Sequence, residues 1–189
     1  LFETAGHYLW LGAEHIAIGI DHLFFVAGLL LLVSWGKRLV YTITAFTVGH
    51  SITLALVSLG VVTNPEALIE WLIAVSIWAL AYELSKPDKQ SRLWERPWYL
   101  AGAFGLLHGM GFAGALAETG LPQVHLPAAL LFFNVGIEVG QLIFVALLTM
   151  IGVAVSRISS APWLKLAPVY VLGGVSTFWV LERTGALFA

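Results

Sequence analysis

No cysteine occurs in this chain of 189 residues, and methionine occurs only twice. Disulfides and thiolate metal sites are therefore excluded, and any metal must be held by nitrogen and oxygen. Charge is scarce as well: 11% of residues are charged against 59% hydrophobic, and the mean hydropathy is +0.90. So little charge cannot cover a water-soluble globule, and the composition is that of an integral membrane protein whose solvent is the lipid bilayer. A formal net charge of −2 without a basic tail gives no reason to expect nucleic acid as a partner. The chain starts at Leu1 and not at an initiator methionine, so the expectation is a processed piece of something longer.

What is present is a series of apolar runs. A spanning helix needs about 20 mostly apolar residues, and six segments qualify, at about 13–35, 39–61, 66–85, 98–118, 127–153 and 165–182. The expected fold is an all-α bundle of six transmembrane helices in a single domain, 1–189, with one longer polar connection, "SKPDKQSRLWERP", from Ser85 to Pro97. Lys37 and Arg38, then Lys86, Lys89, Arg92 and Arg96, then Arg157 and Lys165 fall on one side of such a bundle, and Arg183 alone falls on the other. That asymmetry places both termini outside.

The apolar runs carry ionisable groups, which are expensive in hydrocarbon and mark pathways or sites. The first span, "EHIAIGIDHLFFVAGLLLLV", contains His15, Asp21 and His22. At about 1.5 Å per residue, Asp21 and His22 lie about 12 to 14 Å below the outer surface. His50, His108 and Glu138 arrive at the same level from about 16 Å away. Four helices thus deliver ionisable groups to mid-membrane. In a continuous first helix His15 and His22, seven residues apart, share a face, and Asp21 projects about 100° away. Asn134, Glu138 and Gln141 form one polar stripe on the fifth span, and Thr47, His50 and Ser51 another on the second. Glu70 enters from the outer side and can reach toward His15.

Imidazole with carboxylate suits nickel, zinc, cobalt, manganese or iron(II). No buried Lys or Arg is expected to pair with these carboxylates, so Asp21, His22, His50, His108 and Glu138 are read as candidate ligands of one cation, with Asp21 either a direct ligand or a group orienting a histidine. Glu83, beside Lys86 and Lys89, is read as an interfacial snorkelling group. Gly136 and Gly140, with Gly102, Gly105, Gly109 and Ala113, are read as small residues that let helices approach closely. His7 and His125 lie at or beyond the outer edge. Ser51 and His50 point about 100° apart on their helix and do not form a nucleophile and base.

His15, five residues, then Asp21 and His22 resembles the HX5DH signature of the HupE/UreJ proteins, small bacterial membrane proteins associated with nickel supply to hydrogenase and urease. The resemblance continues through "FTVGHSITLAL" (Phe46 to Leu56), "LLHGMGFAGAL" (Leu106 to Leu116) and "FFNVGIEVGQL" (Phe132 to Leu142). It implies a six-helix, cofactor-free Ni2+ permease of the bacterial inner membrane, with His15, Asp21, His22 and His108 recognising the metal. The second family signature is incomplete, since only His108 and Gly109 remain of it and Leu107 precedes them. The pattern resembles a branch in which the spans follow an exported N-terminal region.

The leading reading is a divalent transition-metal permease. Its outer vestibule is formed by His7, His15 and Glu70, its central site by Asp21, His22, His50, His108 and Glu138, and its inner exit by Gln141, Thr47 and Thr44. The alternative is an intramembrane Zn2+ hydrolase of a lipid or membrane-anchored substrate, with Glu138 or Asp21 as general base. A third reading is a metal-sensing or structural partner of an exported protein; the expected partners are the metal ion and the bilayer, with an exported N-terminal domain or an oligomer beside them.

Overall fold

The apolar segments fold as helices throughout. The computed structural model describes residues 2–63, 65–87, 91–118, 126–161 and 163–188; His125 and Lys89 lie outside them. The helices are α1 (Phe2–Ile18), α2 (Ile20–Val33), α3 (Lys37–Ser58), α4 (Glu66–Ser85), the short α5 (Arg92–Glu95), α6 (Pro97–Glu118), α7 (Leu126–Ile158) and α8 (Trp163–Leu187). There is no strand among the described residues. α3, α4 and α7 are each long and apolar enough to cross a bilayer, and the pair α1 and α2 makes a fourth crossing if counted as one span. α6 and α8, with 22 and 25 residues, have the length.

The first span departs from expectation. It is not one continuous helix: the chain leaves helical geometry at Gly19 and turns by 79° between Ala5–Ile18 and Ile20–Val33. Glycine lacks the side chain that favours helix continuation, and a break at it costs little. α2, "IDHLFFVAGLLLLV", is apolar on every side after its first turn, and a helix without a polar face belongs in the interior. It accordingly runs through the middle of the bundle, against α1, α3, α4, α6, α7 and α8.

The closest pairings are α3 with α6, α1 with α7 and α4 with α8. Glycine makes the first two possible. A methyl group on Gly105 would collide with the Phe46 carbonyl, one on Gly109 with the His50 carbonyl, and one on Gly49 with the backbone of Gly102, so α3 and α6 meet backbone to backbone. Gly12 faces the Phe133 carbonyl and Gly136 the Leu9 carbonyl in the same manner. Such contact supplies the dispersion attraction that holds helices together where lipid removes any hydrophobic gain.

Two buried apolar clusters result. The larger includes Phe25, Val26, Leu29, Ile43, Phe46, Ile73, Ile77 and Leu80, and the smaller Ile16, Leu54, Phe133 and Ile137. On α7, Leu131, Val135, Val139, Ile143 and Leu147 recur every fourth residue and are exposed, while Phe133, Asn134, Ile137 and Gln141 are buried. In water that outward stripe would be a liability; in a bilayer it is the lipid face.

Glu83 corrects a second expectation. It is buried, 3% exposed, and does not snorkel. Its carboxylate accepts a hydrogen bond from Lys86 Nζ at 2.8 Å and another from the Ser91 hydroxyl. The polar loop is thereby tied to the end of α4, because a buried carboxylate must be paired. The Glu83 hydrogen bond in turn holds the Lys86 ammonium pKa above its ordinary value.

The glycine contacts give a direct stability test. Gly105→Val is expected to cost at least about 2 kcal/mol by forcing backbones apart, read as a lowered thermal midpoint in detergent. Gly152→Ala, with nothing near its added methyl group, is expected to leave the midpoint unchanged or raise it.

Candidate metal centre

The break at Gly19 assembles the site. α1 ends one turn beyond His15, and Asp21 and His22 occupy the first turn of α2, so the turn folds His22 back toward His15, with ring centroids 4.7 Å apart. The expected shared helical face is not the reason they meet, since no single helix carries both. A side chain on Gly19 would stand 2.9 Å from both the His15 carbonyl oxygen and His22 Nδ1. The glycine therefore leaves the space that the imidazole fills.

His50, from the middle of α3, completes a group. His15, His22 and His50 each offer a ring nitrogen, and the three atoms lie within 4.8 Å of one another. An ion bound about 2.1 Å from each nitrogen needs separations of about 3 to 4.2 Å, and a spread within 4.8 Å lies close to that range. The rings sit between the two apolar clusters, His15 beside Phe133 and His22 beside Phe46. His22 is 5% exposed and His50 is fully buried.

Hydrogen bonds orient two of these rings. Asp21 Oδ1 accepts the His22 backbone N–H at 2.9 Å and lies 3.1 Å from His22 Nδ1. The carboxylate, an acceptor only, keeps the proton on Nδ1 and leaves the Nε2 lone pair available. Asn134 Nδ2 donates to the Leu130 carbonyl at 2.7 Å, which turns Asn134 Oδ1 toward His50 Nδ1 at 3.4 Å. Nδ1 of His50 therefore carries the proton, and its Nε2 is the basic atom. Nε2 of His22 and of His50 are buried without a hydrogen-bond partner among the described residues. Unsatisfied buried polar atoms are costly and call for an explanation; a cation is the natural one for lone pairs gathered in one place.

His108 stands next to this triad. Fully buried on α6, it packs on Phe46 and Phe25 with centroids at 5.1 and 5.3 Å and lies 4.8 Å from the His22 ring. Neither of its nitrogens has a hydrogen-bond partner among the described residues. Glu138 is engaged elsewhere: its Oε1 accepts the Thr44 hydroxyl at 2.5 Å. Gln141 Oε1 accepts the Thr47 hydroxyl at 3.0 Å. The polar stripes of α3 and α7 thus meet residue to residue, as Thr44 with Glu138, Thr47 with Gln141 and His50 with Asn134. His7 is exposed and touches Tyr8, away from the triad.

One partnership reverses the expectation that no basic residue meets the carboxylates. Arg183 of α8 places Nη2 at 3.0 Å from Glu70 Oε2 and 3.7 Å from Asp21 Oδ2, and its Nη1 donates to the Glu70 carbonyl at 2.7 Å. The only signal in the sequence was that Arg183 is the one Lys or Arg assigned to the side opposite the other eight.

The chain matches the family described as HupE / UreJ protein over residues 1–183 and belongs to that family of nickel/cobalt transporter-like membrane proteins. No curated protein and no solved structure matches the chain.

The role of the break predicts that Gly19→Val displaces the His22 ring. Titration with Co2+, followed by its visible absorption, is expected to give a wild-type band whose midpoint moves at least about tenfold higher in the variant, the size of loss usual when a ligand's orientation is disturbed.

Proposed function

We propose that this HupE/UreJ protein is a permease of the bacterial inner membrane for Ni2+ or a chemically close divalent transition ion, which pauses at the His15, His22 and His50 triad. The observation that carries the reading is the pair of buried Nε2 atoms of His22 and His50, without a hydrogen-bond partner among the described residues, within one group of imidazoles. Neutral imidazole suits the late first-row divalent ions. Three neutral nitrogen ligands are few enough to exchange, and a site that binds and releases is what conduction requires. Asp21 acts by orienting His22 and by its charge, and His108 extends the row of imidazoles toward α6.

In this proposal the ion approaches past Glu70 and Asp21 from outside. It leaves along the α3 and α7 seam, where the Thr44 to Glu138 and Thr47 to Gln141 bonds part to admit it, so Glu138 and Gln141 serve as ligands on the inner half and Asn134 as the positioning partner of His50. The six spans are the bent α1 and α2 pair, α3, α4, α6, α7 and α8, with both termini outside. The hydrogen bonds from Arg38 to the carbonyls of Trp94 and Glu95 support that arrangement, because they bring two of the connections assigned to the inner side to one end of the bundle. The hydrolase alternative is weakened because both candidate bases are occupied, Glu138 by Thr44 and Asp21 by His22 and Arg183.

Ni2+ uptake into proteoliposomes tests the reading. His22→Ala and His50→Ala are each expected to reduce the initial rate by at least about tenfold, and Glu138→Gln to reduce it less. Uptake unchanged in both histidine variants, or a stoichiometric ion that survives EDTA in the purified protein, would overturn transport through this site.

A further inference from the structure

Arg183 is not explained by binding a cation. A guanidinium stays protonated at any accessible pH and cannot ligate a metal. It nevertheless sits among the carboxylates nearest the imidazoles. Its attachment is specific: the side chain makes an ion pair with Glu70, a longer one with Asp21, a hydrogen bond to the Glu70 carbonyl, and lies over the Trp179 ring with its centre 5.7 Å away. The next residue, Thr184, accepts the Trp71 indole N–H at 2.9 Å, which pins this turn of α8 to α4.

The side chains grade in exposure, from Glu70 at 36% through Arg183 at 20% and Asp21 at 19% to His22 at 6%. The guanidinium and Asp21, equally covered, therefore stand between the half-buried Glu70 carboxylate and the buried His22 imidazole. Asp21 bridges the two worlds, with Oδ2 toward Arg183 and Oδ1 toward His22. Any divalent ion held by His22 shares the field of Asp21 with Arg183, and the two cations repel in a setting of low dielectric constant.

We infer that Arg183 is a tethered counter-cation on Asp21, which balances the carboxylates while the histidine site is empty and competes with the metal ion, keeping its binding weak enough for release. Glu70 holds the other side of the guanidinium and draws it away from Asp21 when the ion arrives. Arg183 is thus a positioning residue that acts through Asp21. The inference rests on the histidine triad being the ion site.

An arginine that competes with the ion must weaken its binding, whereas one that only ties α8 to α4 must not. Ni2+ binding is measured by equilibrium dialysis on the full chain in detergent, for wild type, Arg183→Gln, Glu70→Gln, the double variant and His22→Ala. Arg183→Gln is expected to bind Ni2+ about tenfold more tightly or better, yet to transport it more slowly because release is slower. Glu70→Gln is expected to bind more weakly, since Arg183 then rests wholly on Asp21, and this loss is expected to shrink in the double variant. If Arg183→Gln does not fold, Arg183→Met, of similar length and apolar, replaces it in every arm. Equal or weaker binding on loss of Arg183, with His22→Ala still abolishing binding, overturns the counter-cation and leaves the site standing. So does an equal effect of Glu70→Gln in both backgrounds. Wild-type protein that binds no Ni2+ overturns both.

Discussion

The structure depends on one break in one helix. A continuous span from α1 into α2 would carry His15 and His22 along its axis almost two turns apart and leave α2 as one more peripheral rod. The 79° turn at Gly19 instead drives the apolar α2 through the middle of the bundle and leaves the first turn of α2, with Asp21 and His22, facing the end of α1. Every other long helix then packs on α2. The site and the core are consequences of the same bend: the apolar part of α2 builds the large cluster, and its polar first turn builds the metal centre.

Around that centre, polar groups follow the rule that lipid imposes. With no water to satisfy them, side chains inside the bundle must find partners there. Hydroxyls of α3 bond to Glu138 and Gln141 of α7, Asn134 bonds to His50, and Asp21 is shared between His22 and Arg183. Against this background the nitrogens of His22, His50 and His108 that have no hydrogen-bond partner among the described residues belong to rings packed side by side. The orienting bonds fall on Nδ1 of His22 and of His50, so the same atom, Nε2, is left basic on both rings. Close glycine packing fixes the register of the helices that carry these groups: α3 against α6 at Gly49, Gly105 and Gly109, and α1 against α7 at Gly12 and Gly136.

Much of this was written in the sequence. Composition determined the solvent, since 59% hydrophobic and 11% charged residues leave no other environment for the chain. Spacing along α7 determined that Asn134, Glu138 and Gln141 share one face, because helical periodicity decides that; packing decided that Asn134 and Gln141 are buried. The HX5DH motif, the glycine pairs and the level at which His50 and His108 arrive were legible for the same reason: each is a property of one helix and its direction. Local sequence did not determine the three features that involve two helices meeting. The break at Gly19 is invisible to periodicity, because glycine is tolerated inside helices and only the packing of α2 against its neighbours decides whether the chain turns there. Glu83 read as an interfacial group because its partner Ser91 belongs to a loop whose return path no pattern encodes. Arg183 read as a topological exception, although it meets Asp21 from 162 positions away in the chain. Charge pairing across such a distance is decided by the docking of α8 on α4, and only the tertiary structure fixes which carboxylate a lone arginine will find.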